Sequence, residues 1–135
     1  EKYTSYIQQL STFEIYNERI SEHQIDRLFQ RAFCTVLPYT DATQSGVIPI
    51  AFAYQVLVIA SNVGALPEVV EHLKNGLITE PSNAQDIYDK MKWALTEKEK
   101  VATLIANAEK TTKELLAWEN IAKKTLKVYS KSKNK

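Results

Sequence analysis

The chain has 135 residues, 44% of them apolar and 24% charged, with 17 basic against 16 acidic side chains and a net charge of +1. That length permits one domain with a real core and is small for a complete two-domain enzyme. The near-neutral balance supplies no field for nucleic acid, and the single cysteine, Cys34, excludes an intrachain disulfide and any Cys-type metal spacing.

Tyr3, Tyr6, Ile7 and Leu10 fall at helical spacing, so residues 2–10 read as the end of a helix. The chain opens on Glu1 and Lys2 without an initiating Met or a signal peptide, which suggests a piece of something longer. Residues 13–16 form a short β-type run. In "SEHQIDRLFQRAF", Ser21 stands at an N-cap and Gln24 completes a capping-box pattern. Ile25, Leu28, Phe29 and Ala32 make that helix's buried stripe. "FCTVLPY" is a strand ended by Pro38, and its lack of alternation implies burial on both faces. Cys34 sits inside it as a small hydrophobe rather than a nucleophile, in keeping with a reducing cytoplasm.

The pattern then repeats. Residues 44–55 read as a short buried helix with Pro49 disturbing its first turn. Residues 56–60 are a second two-sided strand, too short to span a bilayer. Residues 67–73 form a short helix with Pro67 near its start, and residues 77–79 a last strand after the Asn75-Gly76 turn. From Asn83 onward all is helical: Asn83 caps "AQDIYDKMKWAL", followed by "TEKEKVATLIANAEKTTKELL" and "AWENIAKKTLKVYSK". Residues 1–129 are one domain. The lysine-rich residues 130–135 read as a solvated, frayed tail, with peripheral contact to anionic lipid as the alternative.

Apolar strands alternating with helices predict an α/β fold. It is an incomplete Rossmann-like parallel sheet of about four short strands, with helices on both faces and a helical C-terminal third. In such sheets ligands sit outside the carboxyl ends of the strands. Two strand exits there are rich in Gly, Pro and hydroxyl residues. At the first, Thr43, Gln44 and Ser45 precede Gly46 at a helix start, where backbone N–H groups suit a phosphate and a small residue lets it approach. Simple capping by Thr43 or Ser45 is the equal alternative. At the second, Gly64 is followed by Glu68, an acid that in a first turn ordinarily complements the helix dipole. His23 and His72 read as surface residues, and Trp93 and Trp118 as core. No metal site and no catalytic residue is identifiable, and the familiar His-x-Glu and Gly-x-Ser-x-Gly motifs are absent.

"LPYTDATQSGVIPIAFAYQVLVIASNVGALPEVVEHLKNGLITEP" resembles the nucleotide-sugar half of the group 1 retaining glycosyltransferases, which have the two-domain GT-B fold. "NERISEHQIDRLFQRAFCTVLPY" is similar to the preceding strand–helix–strand, and "LLAWENIAKKTLKVYSK" to the closing helices. The resemblance covers essentially the whole chain. It implies a C-terminal donor-binding portion of an enzyme that moves a sugar from a nucleotide-diphosphate sugar with retention. Thr43, Gln44, Ser45, Gly46 and Val47 would hold the donor phosphates, Asp41, Gly64 and Glu68 would edge the pocket, and no metal would be needed. The expected partners are the nucleotide sugar and an acceptor domain absent from this chain.

Two departures stand out. Many members carry two glutamates in a pattern like Glu-Gly-Phe-Gly-Leu-Pro-x-x-Glu. Aligned through Pro49 these fall on Gln44 and Phe52; aligned through "VIAS" they fall on Ala42 and Ile50. Neither register supplies a carboxylate. The family's first two donor-domain strands, with their Gly-Arg and Lys-Gly motifs, are also missing. Residues 13–16 are therefore expected to be mispaired, poorly ordered or swapped into a dimer. The chain alone would be inactive. The alternative from another class is a non-catalytic α/β interaction module, or a subunit that completes a transferase in trans.

Overall fold

The computed structural model describes residues 12–132, with the expected helix over residues 2–10 outside them. The chain divides into two compact units, residues 1–31 and 32–135. In the first, helix α1 (Glu22–Arg31) begins as the sequence requires. Gln24 Oε1 accepts the Ser21 N–H at 2.9 Å while Ser21 Oγ accepts the Gln24 N–H at 3.3 Å, a reciprocal capping box. Ile25, Leu28, Phe29 and Ala32 are half-buried rather than buried, and no residue of the helix is fully buried.

Residues 13–16 form no strand. Phe13 and Ile15 remain 59% and 40% exposed. A four-residue β-type run holds a strand conformation only when a neighbour takes its backbone donors and acceptors, and no ladder reaches this one. The sheet accordingly has three strands rather than about four.

That sheet lies in the second unit. Strands β1 (Cys34–Leu37), β2 (Leu57–Ser61) and β3 (Leu77–Thr79) are all parallel, in the order β1-β2-β3. Cys34 pairs with Leu57 and Ile59 with Leu77. The central strand β2 is buried along its length, as a two-sided apolar run should be. In β1 only Leu37 is fully buried, because the strand borders the sheet instead of lying inside it.

Between β1 and β2 runs helix α2 (Val47–Ala53), which buries Ile48, Ala51 and Phe52. It starts after the predicted residue 44, and Pro49 sits in its first turn, where a backbone N–H has no intrahelical partner to lose. Gln55, at φ 57°, ends it in the left-handed region, with the Val56 N–H bonded to Ala51 O at 2.9 Å.

Helix α3 (Leu66–Val69) is a single turn, shorter than the predicted residues 67–73. Buried Asn75 explains the truncation. Its Oδ1 accepts the Glu71 N–H at 2.7 Å and its Nδ2 donates to Val69 O at 2.9 Å, removing groups that would continue the helix. The same Nδ2 donates to Thr111 Oγ1 at 3.0 Å, and Asn107 Nδ2 donates to Lys74 O at 2.8 Å. The turn after α3 is thereby clamped to a helix far along the chain.

That helix is α5 (Lys98–Thr111), preceded by α4 (Ala84–Thr96) with Asn83 Oδ1 accepting the Asp86 N–H at 3.0 Å as its N-cap. Leu57, Ile59, Leu77, Ala94, Val101 and Leu104 form the core between sheet and helices, with Trp93 packed against it. Val58 and Ala60, alternating with these on β2, are fully buried on the other face.

A π-helical turn (Thr112–Leu116) leads into α6 (Trp118–Ser132). Trp118 is 84% exposed, contrary to the expected core position, and Leu126 and Val128 are exposed with it. The reason is that α6 packs chiefly on the preceding turn and not on the sheet. Among the described residues no helix is long and apolar enough to cross a membrane.

Candidate functional site

The parallel strands place the loops after β1 and β2 at one edge of the sheet, where the strand carboxyl ends converge. The β1 exit, residues 38–46, carries the residues singled out from the sequence. Asp41, Thr43 and Gln44 are exposed, and Ser45 is half-buried. Ser45 Oγ accepts the Val47 N–H at 3.3 Å and lies 3.5 Å from Tyr39 Oη. Ser45 therefore supplies part of the cap that the α2 start needs. The capping and ligand readings of this loop are compatible, since the Ser45 hydroxyl keeps a proton to donate elsewhere.

Gly46 is the N-cap of α2 at φ −70°, a value open to any residue. A Cβ built on it would meet nothing within 4 Å. Neither backbone conformation nor packing demands glycine there. What the glycine leaves is clear space in front of the helix start.

Gly64 is the opposite case. Its φ is +52°, and a Cβ there would overlap the Ala42 carbonyl oxygen. The two exits touch at this point, and the Ala65 N–H donates to Thr43 O at 3.1 Å. The structure thus brings Gly64 against the loop that holds Thr43, Gln44, Ser45 and Gly46. Glu68 is exposed in the first turn of α3, its N–H bonded to Ala65 O at 3.2 Å.

A separate cleft of about 560 Å³ runs along the outer edge of β3, lined by His72, Ile78, Glu80, Asn83, Asp86 and Lys90 among others. His72 Nδ1 accepts the Ile78 N–H at 3.0 Å, and Asp86 Oδ2 accepts the Glu80 N–H at 2.8 Å. These side chains occupy the donors that an edge strand would otherwise present. Burial, followed by Lys90, lowers the His72 pKa against the opposing pull of Asp86. The Glu80 N–H is the chief cause that lowers Asp86. Burial raises the Cys34 thiol, in line with its place as a core hydrophobe. His72 and Asp86 are accounted for by the strand edge, and the sequence offered no signal for that role. Among the described residues no group of three or more His, Cys, Asp or Glu could hold a metal ion.

Residues 13–111 match the family model described as "Glycosyl transferases group 1". This chain belongs to the group 1 glycosyltransferases. An uncharacterised glycosyltransferase of Methanocaldococcus jannaschii is 30% identical over 105 residues, covering 78% of this chain and 27% of that protein. Sucrose-phosphate synthase from Thermosynechococcus elongatus superposes with a TM-score of 0.83 at 23% identity, over 96% of this chain and 33% of that one. HepE of Anabaena, solved in complex with UDP, superposes with a TM-score of 0.64 at 25% identity, over 67% of this chain and 25% of that one. The chain thus spans between a quarter and a third of the length of these relatives. The C-terminal domain of a group 1 glycosyltransferase from Francisella tularensis covers 85% of this chain, with a TM-score of 0.71. The fold is the α/β architecture of GT-B domains.

The glutamate pair that the resemblance implies for the first strand exit has no counterpart here in either register. In one register the family's glutamates fall on exposed Gln44 and on Phe52, which is 1% exposed in the core. In the other they fall on Ala42, which packs against Gly64, and on half-buried Ile50. Neither arrangement offers an acid to the loop.

Proposed function

We propose that this domain binds the nucleotide-diphosphate part of a sugar donor, within a longer enzyme that transfers the sugar to an acceptor with retention. The observation that carries the reading is the family match over residues 13–111. It is supported by the structural likeness to the UDP complex of HepE and by the open space in front of the helix start at Gly46. Backbone N–H groups of residues 43–47 and the Thr43 and Ser45 hydroxyls would face the diphosphate, with Asp41, Gly64 and Glu68 around them. Fixed dipoles of this kind stabilise the charge that develops on a departing nucleotide diphosphate without reorganising. No step requires a metal in this reading. The missing acid pair leaves the donor's sugar and ribose to other groups of the full-length protein.

Calorimetric titration of the full-length protein with UDP and GDP tests the proposal. One of the two should bind, and residues 1–135 alone should bind it more weakly and turn over no donor. Full-strength binding by residues 1–135 would show that the rest of the protein adds nothing to the phosphate site. Absence of binding to either nucleotide by the full-length protein would refute the donor assignment.

A further inference from the structure

We propose that Gly64 is a positioning residue for the donor-phosphate loop. By carrying no side chain it lets the β2 exit close onto the β1 exit and lock the peptide group between Thr43 and Gln44. The inference rests on the donor reading above and adds the device that shapes the loop.

A Cβ at position 64 would overlap the Ala42 carbonyl oxygen, lying 2.8 Å from the carbonyl carbon and 3.3 Å from Thr43 Cα. All of these obstacles are backbone, so no side chain can swing aside; the two exits would have to part. The φ of +52° adds a second demand for glycine at the same residue. Closure at Gly64 is also what brings the Ala65 nitrogen within 3.1 Å of Thr43 O.

That hydrogen bond has a consequence for an anion. A trans peptide is planar, with its C=O and N–H pointing in opposite directions. Holding the Thr43 carbonyl against Ala65 turns the Gln44 N–H to the far side and keeps a carbonyl dipole from facing the phosphate. Released, the same peptide is free to rotate and present oxygen, which repels. Gly64 thus acts through Thr43 and Gln44 and need not touch the ligand. Gly76 is the matched contrast: a Cβ there would meet Val70 Cγ1 at 2.6 Å and Val58 O at 3.0 Å, contacts of the fold that involve neither exit loop.

The test uses the full-length protein, with UDP and GDP titrated calorimetrically into wild type, Gly64→Ala, Ala65→Pro and Gly76→Ala. Ala65→Pro removes the N–H donor and sets its ring Cδ where that hydrogen pointed, against Thr43 O, so it parts the two exits while leaving Gly64 in place. It carries the test should Gly64→Ala fail to fold. Gly64→Ala and Ala65→Pro should each weaken the preferred nucleotide about tenfold or more, the lower end of what one hydrogen bond to a charged group contributes. Donor KM should rise by more than kcat falls. Gly76→Ala should lower the unfolding temperature and leave affinity unchanged. Affinities of Gly64→Ala and Ala65→Pro within about twofold of wild type would overturn the proposal. An equal loss in Gly76→Ala would also overturn it, by tracing the effect to stability. Wild type that binds neither nucleotide would refute the donor reading itself, a result distinct from variants that bind as well as wild type.

Discussion

Asn75→Ala should be among the most damaging single substitutions in the second unit, although the sequence around it reads only as a turn. Asn75 is 1% exposed and makes three hydrogen bonds: from the Glu71 N–H, to Val69 O and to Thr111 Oγ1. At about 1 kcal/mol each the bonds account for about 3 kcal/mol. The amide's removal also leaves a small void, while water can reach some of the half-exposed partners. A loss of about 2–4 kcal/mol follows. For a chain of this size that is a fall of about 6–20 °C in unfolding temperature. Urea denaturation followed by circular dichroism gives the free energy, and the denaturant slope should not change. Thr111→Val, which removes one of the three bonds, should cost about 1 kcal/mol and be less than additive with Asn75→Ala. A loss below about 1 kcal/mol for Asn75→Ala would refute the reasoning, because it would mean that the clamp contributes no more than one exposed hydrogen bond.

Other outcomes follow from the same structure. Gly46→Val should change stability by no more than about 1 kcal/mol, since its φ is ordinary and its surroundings are open. The same variant of the full-length protein should lose donor affinity in a nucleotide titration, and unchanged binding would leave Gly46 as a loop residue only. Gln55→Gly should stabilise by about 0.5–1 kcal/mol in urea denaturation, because a left-handed position at φ 57° suits glycine. Stability should also fall on mild acidification. The His72 pKa is lowered in the folded chain, so below the ordinary value of about 6.5 the unfolded chain binds a proton that the folded chain resists. That part of the stability is fully present above pH 6.5 and is lost as pH falls toward the folded pKa. His72→Gln should flatten this limb, whereas the limb belonging to Asp86, whose pKa is lowered from 3.8, should appear only at stronger acidity.

Much of the fold was legible because local signals agreed with their surroundings. Ser21 and Gln24 announced a capping box, Asn83 a helix start, and the unbroken apolar run at residues 56–60 a strand buried on both faces. The misreadings share one physical cause: each depends on a partner distant in sequence. Residues 13–16 have the composition of a strand but no neighbour to pair with. Asn75 stops α3 through a contact with Thr111, 36 residues away, which no local pattern encodes. Trp118 has the hydrophobicity of a core residue, but α6 leaves it outside. For the candidate site, the loop could be placed at a strand exit from the sequence. The contact of Gly64 with Ala42 could not, since it arises from the approach of two loops.

The two glycines of the strand exits stand in different surroundings. In the sequence both follow an apolar strand at short range and both precede a helix, so both invite a ligand interpretation. In the structure, Gly64 is required by its own φ and by the Ala42 carbonyl, which gives it a sufficient reason within the protein. Gly46 has neither constraint: its φ is ordinary and a Cβ there would meet nothing within 4 Å. At an N-cap, however, glycine is favoured over alanine and valine, so the start of α2 already gives Gly46 a reason within the fold. Nucleotide titration of Gly46→Val separates the two reasons: a cap alone predicts unchanged affinity, and a phosphate seat at the same backbone predicts its loss.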